Sequence, residues 1–97
     1  MEKTLLTIVY DSGMDERVME ALKTCGVSGW TKTFGGHGYG GQGLKVDTPV
    51  WPGNVNILTL LLAPEEAGVL AQSLKDLKAT YRKNPGLTLW TQAVQTL

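Results

Sequence analysis

The chain is short of the features that mark whole classes of protein. It has one cysteine and one histidine in 97 residues, so it cannot close an internal disulfide and offers no Cys/His set of the kind that binds zinc. It has no charge imbalance either: nine Lys and Arg stand against nine Asp and Glu, leaving no net field to draw it to nucleic acid or to an anionic membrane surface. No apolar run approaches the roughly 18–20 residues that a membrane span needs; the longest, Ile57–Ala63, is interrupted by Thr59. Met1-Glu2-Lys3 leads directly into a strand-like segment with no signal-peptide core. These absences predict a protein of the reducing cytoplasm that neither binds nucleic acid nor inserts in a membrane.

What is present is a globular balance. Hydrophobic residues make up 42% and charged residues 19% of the chain, and the aromatics (Trp30, Trp51, Trp90, Tyr10, Tyr39, Tyr81, Phe34) are spread along it, which argues for one folded domain over residues 1–97 rather than disorder. A chain this small buries only roughly 60–65% of its unfolded surface. Its zero net charge gives little colloidal repulsion, which favours self-association.

The order of elements can be followed along the chain. Thr4–Tyr10 is β-branched and apolar and stops at the turn formers Asp11-Ser12-Gly13, so it predicts a strand. From Met14 to Cys25, apolar Met14, Val18, Ala21, Leu22 and Cys25 fall at helical spacing. Ser12 with Asp15 offers an N-cap, Asp15 and Glu16 suit the positive end of the helix dipole, and Gly26 suits the C′ position. Val27–Phe34 predicts a second strand, with Trp30, Lys32 and Phe34 on one face and Thr31 and Thr33 on the other. Six glycines then fall within the nine residues 35–43, which no helix or central strand tolerates, so a long loop is expected over about 35–53. That much glycine also predicts the highest mobility in the chain. Asn54–Leu62 reads as a strand buried on both faces, Ala63–Tyr81 as a helix entered through Pro64, and Leu87–Val94 as a last strand.

The result is a single α+β domain, a ferredoxin-like βαββαβ sandwich with a four-stranded antiparallel sheet and two helices on one face. The other face lacks cover and carries apolar residues of the third strand. Another copy of the chain in a closed ring is the expected partner.

The segment Glu20-Ala21-Leu22-Lys23-Thr24-Cys25-Gly26-Val27-Ser28-Gly29-Trp30-Thr31-Lys32-Thr33 resembles the nitrogen regulatory P-II family, in which a Glu-Ala-Leu helix end and a Gly-Val-Ser-Gly type turn precede a Thr-containing strand. Gly38-Tyr39-Gly40-Gly41-Gln42-Gly43 is similar to the Gly-Phe-Gly-Arg-Gln opening of that family's T-loop, and Asn54-Val55-Asn56-Ile57 with Pro64-Glu65-Glu66 fits its third strand and second helix. The resemblance implies a trimeric regulator that binds a small anion or an adenine nucleotide (ATP, ADP or AMP) and contacts a target transporter or enzyme through the loop. Departures are visible too. Tyr81-Arg82-Lys83-Asn84-Pro85-Gly86 stands where the family has its phosphate-holding B-loop, no counterpart of the C-terminal extension is read by Leu97, and no tyrosine lies between Gln42 and Pro52. A divergent member is expected.

On this resemblance, Thr31, Gly38, Gly40 and Gln42 match the nucleotide-contacting region. Glycine-freed backbone N–H groups give that segment a physical route to holding phosphate or carboxylate, although a plain connector has the same composition. Arg82 and Lys83 would neutralise phosphates if the second helix ends beside the loop of a neighbouring subunit, while the helix dipole alone also accounts for two cations there. Tyr39 and Trp51 are candidates for contact with a partner protein. His37, without other ligands nearby, reads as an exposed loop histidine; it would bind metal only if a threefold axis gathered three copies. Cys25 reads as a small core residue. With no acid/base pair, activated nucleophile or metal cluster in view, catalysis is not expected. Two functions stay open: a ligand-responsive regulator, or a constitutive interaction or metal-handling trimeric scaffold with no nucleotide site.

Overall fold

The β-branched start of the chain forms strand β1 (Glu2–Asp11), which gives way through a 3₁₀ turn over Ser12–Met14 to helix α1 (Asp15–Thr24). The computed structural model describes residues 2–37, 39–40, 43–44, 54–83 and 85–97. The helix starts one residue later than its apolar spacing suggests, because Met14 is buried from the 3₁₀ turn rather than from the helix. Ser12 does not cap it. Asp15, the first helical residue, directs its carboxylate elsewhere, as described below.

The end of α1 follows the sequence closely. Gly26 has φ of 75°, its N–H bonds to the Lys23 carbonyl, and the Val27 N–H reaches back to Leu22. This pair of bonds is the Schellman arrangement, in which a glycine in the left-handed region satisfies the last carbonyls. Val27 therefore belongs to the helix stop, and strand β2 spans Thr31–His37 rather than Val27–Phe34. It runs on into the glycines because β2 is an edge strand, and its pairing shifts between Thr33 and Gly36. Gly35, with φ of 70°, occupies that irregularity. Tyr39–Gly40 (β3) and Gly43–Leu44 (β4) form a separate two-residue antiparallel ladder, so part of the expected loop is paired. The mobility expected of the 35–53 segment falls largely outside the described residues.

Strand β5 (Asn54–Leu62) and helix α2 (Pro64–Ala79) follow. Pro64 fills the first helical position, where its missing N–H costs nothing, and the Ala63 N–H donates to Glu66 Oε1 at 3.2 Å. The helix ends at Ala79, two residues short of Tyr81, where the Thr80 hydroxyl donates to the Leu77 carbonyl at 2.7 Å. Strand β6 (Leu87–Gln95) is the last element.

The four long strands form one antiparallel sheet in the order β2-β5-β1-β6. This is the ferredoxin-like arrangement. Leu6, Ile8 and Tyr10 of β1, Leu58, Leu60 and Leu62 of β5, and Leu87 of β6 pack beneath Val18 and Leu22 of α1 and Ala67, Leu70 and Leu74 of α2. Cys25 lies partly buried against that core. Strand alternation sends the intervening residues to the opposite face, where Leu5 stands across from Leu61, Thr7 from Thr59 and Val9 from Ile57. There Leu61 is 55% and Trp90 46% exposed.

Candidate ligand site

Two features meet at the β2 edge. On the helix side, Asp15 takes hydrogen bonds from the Tyr10 hydroxyl at 2.5 Å and from Asn56 Nδ2 at 3.3 Å, and its carboxylate pairs with Lys32 Nζ at 2.7 Å. β1, α1, β2 and β5 each contribute one member. Burial alone would raise the Asp15 pKa, but the hydrogen bonds from Lys32 and Tyr10 and the attraction of the ammonium outweigh it and hold the carboxyl below its ordinary value. Tyr10 is pushed the other way, first by burial and then by the adjacent carboxylate.

The Lys32 side chain is only 7% exposed, yet its neighbours two residues to either side are surface aromatics. Its ammonium lies 5.3 Å from the ring centroids of both Trp30 and Phe34, which are 45% and 71% exposed. The cation is thus held between two rings while Asp15 fixes it from behind.

On the sheet's open side at the same edge lies a groove of about 420 Å³, lined by Leu5, Gly29, Trp30, Thr31, Thr59, Leu60 and Leu61. That volume is within the roughly 300–1,000 Å³ usual for small-molecule sites. Thr31 and Thr59 are direct partners in the ladder, so alternation sends both hydroxyl-bearing side chains to one face.

Among the residues singled out in the sequence, Thr31 lines this groove. His37 pairs with Asn54 at the far end of β2, Tyr39 with Leu44, and Gly40 with Gly43. Gly38, Gln42 and Trp51 lie outside the described residues. Arg82 and Lys83 are exposed just beyond α2, at the end of the sheet where the Asp11 N–H donates to the Gly86 carbonyl. The groove opens toward Leu5 and Leu61, away from that end, so one chain does not bring these cations to Thr31. Among the described residues no group of three His, Cys, Asp or Glu comes together to hold a metal ion.

The Tyr10–Asp15–Lys32–Asn56 cluster does not emerge from the sequence reading. Asp15 looks like a dipole-favoured first-turn residue and Lys32 like the polar member of an edge strand. The available signal is Lys32 itself, a charge flanked at i±2 by two aromatics.

No protein-family profile matches the sequence, and no curated protein matches it. Solved structures do. A nitrogen regulatory PII-like protein, CPII from Thiomonas intermedia K12, bound to ADP, AMP and bicarbonate, superposes with a TM-score of 0.80 over 99% of this chain and 89% of its own, at 15% identity. A putative PII-like signalling protein from Thermus thermophilus gives 0.72 over 97% and 87%, at 23% identity. The chain has the PII-like fold. The GlnK–ATP complex of Bacillus subtilis shares it at a TM-score of 0.68 and 10% identity, covering 96% of this chain and 82% of that one. Identities this low leave the PII-like architecture as what is common.

Proposed function

We propose that this chain is a divergent PII-like regulatory protein that acts by binding and not by catalysis. It senses an adenine nucleotide or small anion, assembles as a trimer, and uses the glycine-rich segment about 35–53 to contact a target protein. The observation that carries this reading is the match, over nearly the whole chain, to a PII-like protein bound to ADP, AMP and bicarbonate. The groove beside Thr31 supports it, since it has the size of a small-molecule site and includes one of the residues that the sequence resemblance singles out.

The site is expected to bind weakly. Without the family's phosphate-holding segment, several charge-assisted hydrogen bonds are lost, each worth about 1.5–3 kcal/mol, which lowers affinity by orders of magnitude. Arg82 and Lys83 of a neighbouring subunit are the groups available to neutralise phosphates. Calorimetric titration with ATP, ADP and AMP tests this: affinity weaker than micromolar is expected, abolished when Arg82 and Lys83 are both replaced by Gln. Submicromolar affinity for ATP would mean that the phosphates are held by more than these two cations. Absence of binding by all three nucleotides would favour the constitutive scaffold.

A further inference from the structure

Arg17 has a position that local helix physics does not explain. It stands in the first turn of α1, behind Asp15 and Glu16, at the end of the helix dipole that disfavours a cation. Its acidic neighbours on the helix, Glu16 and Glu20, form no ion pair with it. The side chain instead crosses to the end of α2. Its guanidinium lies 5.4 Å from the centroid of the Tyr81 ring, and Nη1 donates to the hydroxyl of Tyr81, 64 residues away in sequence, at 3.2 Å. Tyr81 is itself held, packed partly buried against the core with its N–H donating to the Lys78 carbonyl at 3.2 Å. The ring therefore restrains the guanidinium, and because Arg17 is exposed the remaining N–H donors of its fork are open to a ligand.

Directly after Tyr81 come Arg82 and Lys83, both exposed and, like Arg17, without a carboxylate partner among the described residues. The dipole of α2 accounts for cations at its own C-terminal end, but not for one brought there from the N-terminal turn of α1. A restrained planar fork beside two further cations suits a multiply charged phosphoryl group, which arginine meets with paired donors and lysine with a point charge. Resting on the nucleotide-sensing reading above, we infer that Arg17 is a third phosphate-holding residue, supplied by the same subunit as Arg82 and Lys83 and positioned by Tyr81. Tyr81 acts through Arg17, as the surface on which the fork is held.

Titration of the full-length protein with ADP, and separately with pyrophosphate, followed by amide NMR shifts, tests this. Losing one charge-assisted bond predicts roughly tenfold weaker affinity for both ligands in Arg17→Gln. Tyr81→Leu, which keeps apolar packing but removes the platform, should weaken both to a similar extent, while Tyr81→Phe, which keeps the ring, stays within about threefold. The amide spectrum reports in the same experiment that each variant is folded. If the unmodified protein binds ADP and Arg17→Gln binds it equally well, Arg17 holds no phosphate and the nucleotide-sensing reading stands. If the unmodified protein binds pyrophosphate but no nucleotide, and Arg17→Gln loses it, the corner holds phosphates and the nucleotide-sensing reading falls. Binding of neither ligand by the unmodified protein overturns both.

Discussion

Asp15 connects three elements through one carboxylate: the Tyr10 hydroxyl from β1, the Lys32 ammonium from β2 and the Asn56 amide from β5. Removing it leaves the Lys32 charge, 7% exposed, without its partner. Breaking a buried pair from one side is strongly destabilising, and because Asp15 itself is partly exposed we expect a cost for Asp15→Asn of about 2 kcal/mol at neutral pH, read by urea unfolding. The pH dependence has a definite sign. Asp15 has a lowered pKa in the folded protein, so its contribution is complete above the ordinary aspartate value of about 3.9 and is lost as pH falls through the folded one. The gap between wild type and Asp15→Asn should close in acid. Tyr10 behaves oppositely: its folded pKa is raised, by burial first and then by Asp15. Its contribution is present below the ordinary tyrosine value of about 10 and declines as pH rises beyond it. Tyr10→Phe should lose that part of the alkaline decline, which unfolding followed across the alkaline range will reveal.

At the scale of elements, β2 is where the fold and the proposed site are most closely joined, since it carries Thr31 and Lys32 at one end and leads into the glycine-rich segment at the other. Gly35 adopts φ of 70° within its irregular pairing, and a Cβ built there meets nothing within 4 Å. Any cost of Gly35→Ala is therefore backbone strain and not collision. About 1–2 kcal/mol is expected in chemical denaturation. The same strand marks the limit of what the sequence makes legible. β1, β5 and β6 can be read because their apolar and β-branched runs have few competing uses, and α1 and α2 because spacing and end signals agree. Val27, by contrast, looks like strand and serves as the residue closing the α1 Schellman stop. Gly35 and Gly36 look like loop and are accommodated in β2 because only one of its edges must pair. Thr31 is reached through the family resemblance and does line the groove, whereas the Asp15 cluster depends on side chains 17 and 41 residues apart in sequence, a distance across which no local pattern reports. Gly38, Gln42 and Trp51 lie outside the described residues.

For the molecule as a whole, the decisive surface is the sheet face opposite the helices. Leu5, Val9, Ile57 and Leu61 fall on it by register, and Leu61 remains 55% exposed. Apolar sheet faces of this kind are seldom left to solvent, and the three copies proposed above would cover it by closing a ring. Leu61→Asp is expected to shift sedimentation toward the single chain without loss of circular-dichroism signal, because the helix-covered core lies on the other side of the sheet. The regulatory assignment is tested most directly by sedimentation equilibrium of the unmodified protein in the presence of excess ADP, with bound nucleotide and protein followed together by absorbance. A particle of three chains carrying ADP is expected; a single chain sedimenting free of nucleotide would contradict it.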